Sequence, residues 1–311
     1  MMSRPYCGRF APSPTGPLHR GSLAAALASW LDARAHDGKW LIRIENIDPP
    51  RERPGAAAGQ LTLLGALGME SDDPVRYQST RTQAYASALQ QLQNAGSTYY
   101  CDCTRSRRAA DGLAPPGAAP DYYPGTCRER LVSAGSAAVR FRVRQGNVAV
   151  LDRACGWYRQ DVQRFVGDPI LLRADGYWAY QLAVVVDDAY QGVTDVVRGA
   201  DLLDNTPRQV LLQQALGLPQ PRYLHLPLVR DAQGRKLSKA QGDAPLDTAS
   251  TAQALAALEQ AWSHLGFLPT GATRIEQFQR CAISAWRQRW LQDGTGAAAP
   301  RTTTRRVRET S

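Results

Sequence analysis

The chain has 311 residues, 43% of them apolar, with 37 Lys plus Arg against 28 Asp plus Glu, a net charge of +9 and a pI near 9.5. That is enough for one large domain with an insertion, or for two domains, around an ordinary core; the basic balance points to a polyanionic partner, nucleic acid ahead of a membrane surface. The longest nearly apolar run, Leu23–Leu31 with Ser29 inside it, is far short of the ~20 residues that span a bilayer, and Arg4 and Pro5 are not followed by the apolar stretch of a secretory leader. A soluble, cytoplasmic protein with reduced cysteines is expected, without a membrane partner.

In chain order, Tyr6–Ala11 reads as a short strand. Ser22–His36 reads as a helix on the spacing of Leu23, Leu27, Trp30, Leu31 and Arg34, stopped by Gly38. Trp40–Ile47 alternates, with Trp40, Ile42 and Ile44 on one face and Leu41, Arg43 and Glu45 on the other. Strand, helix and strand within about 40 residues make a βαβ unit and imply a parallel sheet. Helices follow over Gln60–Leu67 and Arg81–Asn94. At Tyr99 the texture changes: residues 104–138 are loop-like, with Pro115, Pro116, Pro120 and Pro124, and strand-like pieces come at Ala138–Val143 and Val148–Leu151. Tyr177–Val186 reads as a buried strand or the start of a helix, Val193–Leu203 as strand and turn, and Thr206–Ala215 and Ala252–Leu265 as helices. The expected organisation is a first catalytic half at 1–98, an inserted subdomain at 99–168, a second half at 169–245 and a helical region at 246–293. A basic tail at 294–311, holding Arg301, Arg305, Arg306 and Arg308, is expected to be disordered.

Two short motifs carry the chemistry. "GRFAPSPTGPLHRGS" at 8–22 joins the first strand to its helix, at the carboxyl edge of the sheet where α/β folds bind ligands. The helix start offers N–H groups and partial positive charge to a phosphate, and His19 and Ser22 can add hydrogen bonds. "RKLSKA" at 235–240 sets Lys236 and Lys239 around Ser238, between Gly234 and Gly242. Two lysines on a glycine-flanked loop can close over a triphosphate and stabilise the charge of departing pyrophosphate. Each motif alone is weak; in this order, at opposite ends of an interrupted α/β domain, they are specific.

Here a resemblance emerges. "RFAPSPTGPLHRGS" resembles the HIGH region of class I aminoacyl-tRNA synthetases, in the form of the glutamyl and glutaminyl branch, and "RKLSKA" resembles the KMSKS motif. "RIENID" at 43–48 and "YQLAVVVDDAYQGVTDVVRGADLLDNTPRQ" at 180–209 are similar to two further signatures of that branch. The likeness covers about residues 6–242. It departs at Ser22, which replaces the second histidine of HIGH, and at Ala240, where KMSKS ends in serine. It implies an α/β fold: a Rossmann-type parallel sheet split by a zinc-bearing insertion and followed by a short helical region. It also implies activation of an amino acid by ATP with magnesium. L-glutamate offers two carboxylates and one ammonium, so its site needs two fork-shaped cations and one anion. The matched blocks supply Arg9 and Arg198 for the carboxylates, Glu45 for the ammonium and Tyr180 as a further partner, with Phe10, Ala11, Pro12 and Ser13 completing the pocket. ATP falls to His19, Gly21, Ser22 and Lys239, and catalysis to His19, Lys236 and Lys239. Asp187, Asp188 and Asp201 are expected to be structural or on the ribose side.

Cys101 and Cys103, with Cys127 24 residues further on, look like half of a zinc knuckle in need of a fourth ligand. The resemblance supplies Tyr123; water, Asp121 and Cys155 are alternatives. Such a zinc ion would be structural. Cys7, Cys155 and Cys281 stand alone and are expected to be packing residues.

Only 71 residues follow Ala240, and 53 without the tail. A separate anticodon-binding domain of about 100 residues is therefore not expected. This short, zinc-bearing form resembles the glutamyl-queuosine tRNA(Asp) synthetase family. That likeness implies glutamate activation without tRNA and transfer to queuosine at the wobble position of tRNA(Asp), with no DNA partner. An ordinary glutamyl-tRNA synthetase charging a 3′ end, a non-catalytic RNA-binding paralogue and a small-molecule ATP ligase are the alternatives.

Overall fold

The computed structural model describes residues 4–104, 114–135, 137–144, 147–227, 246, 248 and 250–292. Lys236, Lys239 and the rest of "RKLSKA", and the 294–311 tail, lie outside the described residues.

The first half runs β1 (Cys7–Phe10), α1 (Arg20–Ala35), β2 (Lys39–Ile44), α2 (Ala56–Ala66), β3 (Arg76–Tyr77) and α3 (Thr82–Asn94). β1, β2 and β3 are parallel, with Gly8 opposite Trp40 and Ile44 opposite Tyr77. From Trp40 to Ile44 every residue of β2 is buried. The alternation read from the sequence therefore divides two covered faces, as in a parallel sheet layered by helices on both sides.

The middle of the chain holds β4 (Thr98–Cys101), β5 (Ala138–Phe141), β6 (Asn147–Asp152), β7 (Gly156–Asp161), a single turn α4 (Val162–Phe165) and β8 (Ile170–Leu172). β5 lies antiparallel between β4 and β8. The β6–β7 hairpin joins the catalytic sheet instead, through Asp152 beside Tyr223 of a later strand. Residues 99–168 thus divide between two sheets.

The second half comprises α5 (Tyr180–Tyr190), β9 (Asp195–Gly199), a 3-10 turn at Ala200–Asn205, α6 (Thr206–Leu216) and β10 (Arg222–Leu226). β9 and β10 are parallel, with Val197 opposite Leu224. The two halves meet at Thr194, whose N–H donates to the Cys7 carbonyl at 2.9 Å while its hydroxyl accepts from the Cys7 N–H at 2.9 Å. Tyr177–Val186 resolves as the start of α5. Its run of Leu182–Val185 is buried throughout, and a short run apolar on every side has no period that tells helix from strand.

The closing helices α7 (Thr251–His264) and α8 (Ile275–Arg287) pack on α1 rather than standing apart. Leu23, Leu27 and Leu31 share one core with Leu258, Trp262, Phe278 and Trp286. Inside it the Asp32 carboxylate accepts from Tyr6 Oη at 2.6 Å, from Trp286 Nε1 at 2.9 Å and from both terminal nitrogens of Arg153. A charge with four donors can be buried at small cost. Among the described residues no helix is long and apolar enough to cross a membrane. Cys7 is buried as expected, but Cys155 and Cys281 are exposed and do not pack inside.

Candidate active site

The chain leaves the sheet at Phe10 and reaches α1 at Arg20 through a turn laced to its surroundings. The Pro12 carbonyl accepts from the Glu45 N–H at 2.9 Å, the Pro14 carbonyl from the Arg53 N–H at 2.9 Å and the Gly16 carbonyl from Gln60 Nε2 at 2.7 Å. Gly16, at φ +142°, holds a conformation that disfavours side chains. Proline supplies carbonyls without unpaired N–H groups, so the turn keeps one shape against these donors. His19 caps α1: its Nδ1 accepts from the N–H of Gly21 at 3.1 Å and of Ser22 at 3.3 Å. An Nδ1 that accepts leaves the ring proton on Nε2. These two amides are thereby satisfied by the imidazole.

The turn walls a cavity of about 530 Å³. Arg9, Phe10, Ala11, Pro12, Ser13, His19, Gly21 and Ser22 line it from one side, and Glu45, Tyr180 and Arg198 from β2, α5 and β9. All the residues named from the sequence for glutamate and ATP, apart from Lys236 and Lys239, line this cavity; the four named for a metal lie elsewhere. A second cavity of about 770 Å³ shares Ser13, Glu45, Arg51 and Tyr180 with the first and continues along Trp178, Gln181, Arg140, Arg173 and Arg208.

The charges of the first cavity are held by buried partners. Asp188 Oδ1 accepts from Arg9 Nε at 3.0 Å and from an Arg43 terminal nitrogen at 2.8 Å. Burial works against its ionisation, but the two arginines hold its carboxyl below the usual range. Arg43 also reaches Glu45 Oε1 at 3.4 Å and Gln191 Oε1 at 2.7 Å. Burial pushes Glu45 up to about 6, with Asp188 adding to the rise and Arg43 and Arg9 opposing it. Asp187 is tied to Gln78, Arg81 and Tyr85. Asp187 and Asp188 are thus structural, as expected. Sequence reasoning missed the residues behind the wall. Arg43 had no pocket role inside "RIENID", and His225, which sits against Arg198, and Asp152 behind it left no mark in two strands of ordinary apolar pattern.

In the middle segment the Cys101, Cys103 and Cys127 sulfurs all lie within 4.8 Å of one another. Tyr123 is buried beside them; its Oη accepts from the Cys127 N–H at 2.8 Å and lies 3.4 Å from Cys101 Sγ. The three sulfurs could hold a metal ion, with the phenol oxygen beside them. Of the alternative fourth ligands, Asp121 pairs with Arg208 at 3.0 Å and Cys155 lies against the His225 carbonyl.

The split parallel sheet with a cavity at its carboxyl edge is that of a class I aminoacyl-tRNA synthetase: the family "tRNA synthetases class I (E and Q), catalytic domain" matches residues 7–255. The chain is 52% identical over 298 residues to "Glutamyl-Q tRNA(Asp) synthetase" of Burkholderia mallei (strain ATCC 23344), covering 94% of this chain and 99% of that protein. It is 52% identical over 304 residues to the protein of the same name from Leptothrix cholodnii, covering 93% and 99%. It belongs to the glutamyl-Q tRNA(Asp) synthetase family within the class I enzymes. Among solved structures it is similar to a glutamate tRNA ligase from Elizabethkingia meningosepticum, with a TM-score of 0.67 and 28% identity over 77% of this chain. It spans only 53% of that longer protein.

Proposed function

We propose that the protein is a glutamate-specific ligase acting in the cytoplasm. It activates L-glutamate with ATP to glutamyl-adenylate, then transfers the glutamyl group to queuosine at the wobble position of tRNA(Asp). The observation that carries this is the convergence of Arg9, Arg198 and Glu45, from three separate strands and their ends, on one cavity beside the His19 cap. Two buried cations and one buried anion match the three charges of glutamate and no smaller set. Arg9 and Arg198 take the carboxylates and Glu45 the ammonium, with Tyr180 as a hydrogen-bond partner.

A carboxylate oxygen of the bound glutamate attacks the α-phosphorus of ATP, and the bond to pyrophosphate breaks. Magnesium, when bound, neutralises charge on the phosphates. His19 donates from Nε2, and Lys236 and Lys239, outside the described residues, are assigned to the departing pyrophosphate. No covalent enzyme intermediate is required. The second cavity supports a separate acceptor: it opens off the first past Glu45 and Tyr180 and carries Trp178, a ring on which a base can stack, among Arg173 and Arg208, which are paired with Asp48, Asp175 and Asp121. Cys101, Cys103, Cys127 and Tyr123 hold one structural zinc, next to Arg140, whose guanidinium lies 3.7 Å over the Tyr123 ring.

The test compares charging of queuosine-containing tRNA(Asp) with charging of tRNA(Glu), after glutamate-dependent ATP–pyrophosphate exchange has been measured. Label on queuosine is expected. Label on the 3′ end of tRNA(Glu) would make the protein an ordinary glutamyl-tRNA synthetase, and exchange that ignores glutamate would end the enzymatic assignment.

A further inference from the structure

Arg198 is 5% exposed and its guanidinium is gripped on several sides. Nη2 donates to Thr206 Oγ1 at 2.8 Å and Gln209 Oε1 at 2.9 Å, Nη1 to Tyr180 Oη at 3.2 Å, and Nε to His225 Nε2 at 3.0 Å. The last bond differs in kind from the others. Hydroxyl and carboxamide oxygens always accept, whereas an imidazole nitrogen accepts only while it carries no proton, and arginine never gives its proton up. The ring proton of His225 must therefore sit on Nδ1, and Nδ1 lies 2.7 Å from Asp152 Oδ2.

Asp152 is built to receive it. Its Oδ1 accepts the N–H of Ala154 at 2.9 Å and of Cys155 at 2.8 Å, and its Oδ2 accepts the His225 N–H at 3.0 Å. Asp152 and His225 are each 1% exposed. The groups facing the ring are Asp152 from β6, Arg198 from β9, the Thr206 hydroxyl at 3.2 Å from α6, and the Tyr223 ring stacked at 6.0 Å within β10. Burial first, and the Arg198 charge after it, hold the imidazole below its ordinary pKa despite Asp152. The ring is thus kept neutral and in one tautomer.

We propose that His225, with its tautomer set by Asp152, is a positioning residue for glutamate binding: it fixes the rotation of the Arg198 guanidinium so that Nη1 is presented beside Tyr180 in the cavity. Neither His225 nor Asp152 lines either cavity, so both act through Arg198. The inference rests on the assignment of Arg198 to a glutamate carboxylate. It goes beyond that assignment by naming what makes the arginine's orientation single-valued.

The experiment is glutamate-dependent ATP–pyrophosphate exchange on the full chain, with KM for glutamate and for ATP measured separately on wild type, His225→Leu, His225→Gln and Asp152→Asn. Leucine removes the acceptor. It should raise KM for glutamate about 10- to 100-fold, the cost of one hydrogen bond to a charged group, and leave KM for ATP unchanged. Glutamine puts a permanent acceptor oxygen where Nε2 stood and should restore most of the loss. Asp152→Asn keeps the shape. Its oxygen is claimed by the Ala154 and Cys155 amides, so its NH₂ faces both Nδ1 and the His225 backbone N–H that Oδ2 accepted. That group drives the ring proton to Nε2, against Arg198, at some cost in stability; in the folded protein glutamate KM should rise while KM for ATP holds. This variant decides the matter if His225→Leu does not fold. Equal damage to both KM values, or no rescue by glutamine, would reduce His225 to a packing residue, and an unchanged glutamate KM in Asp152→Asn would overturn the proposal. Wild-type exchange that ignores glutamate would instead remove the assignment of Arg198 itself.

Discussion

Arg9 Nε lies 3.0 Å from Asp188 Oδ1, with the two side chains 4% and 7% exposed. The same oxygen also takes Arg43 at 2.8 Å. One carboxylate on α5 therefore aims the cavity-lining arginine of β1 and balances a second buried arginine from β2. Asp188→Asn keeps the shape and removes the charge. It should destabilise the fold by about 3–5 kcal/mol, the usual cost of breaking a buried pair. In whatever fraction remains folded, KM for glutamate should rise at least about tenfold, as expected when a bond to a charged group is lost. Urea denaturation and exchange kinetics check the two effects.

The ammonium role proposed for Glu45 predicts that glutamate binding depends on pH. Its folded pKa of about 6 stands above the ordinary 4.5 because burial disfavours the charge. The ionised form is needed for the ammonium, so kcat/KM for glutamate should fall as pH drops through about 6. The sign for stability is the opposite. A raised carboxyl pKa means that the folded state binds its proton more tightly, so stability declines as pH rises from 4.5 to about 6. Glu45→Gln should abolish that dependence and be more stable than wild type at pH 8, by about 2 kcal/mol, while losing glutamate affinity. Thermal melts at pH 5 and pH 8 separate the contributions; equal melting shifts at both would show that Glu45 is not strained by burial.

Different substitutions divide the helix cap made by His19 from the phosphate contact proposed for it. His19→Ala removes the cap and should cost about 0.5–2 kcal/mol along with exchange activity. His19→Asn puts Oδ1 where Nδ1 accepts from Gly21 and Ser22 and lacks the Nε2–H. Stability should return, and kcat should stay low. If Asn restores both, the histidine matters only as a cap.

The sulfur cluster should bind about one equivalent of zinc when the protein is purified without chelators, in keeping with a tetrahedral structural site. Cys127→Ser should lose the metal and make the middle segment more sensitive to proteolysis, while glutamate-dependent exchange continues, since the cluster lines the second cavity only through Cys103. Loss of exchange together with the metal would show that the cluster also supports the activation site.

Much of the site could be read from local order. Arg9 and His19 flank one strand-to-helix turn, and Glu45 follows the second strand, so the βαβ connection alone sends them to one sheet edge. Arg198 and Tyr180 came from a matched signature, not from geometry. The Asp188 anchor was read as structural without its partners, and His225 and Asp152 were invisible, because a polar residue inside an apolar strand has no local partner to announce it.

The sequence by itself determined the parallel βαβ start and the proline-laced turn, since each depends on neighbours a few residues away, and it named the three cysteines and the charges of Arg9, Glu45 and Arg198 through motifs. Only the tertiary structure decided that Leu182–Val185 is helix, that the β6–β7 hairpin extends the catalytic sheet, and that α7 and α8 share the core of α1. It also decided which acidic group steadies which arginine: Asp188 lies 179 residues from Arg9, and Asp152 lies 73 from His225. Such pairings are chosen by burial, which leaves each ionised group only the partner that packing brings within reach.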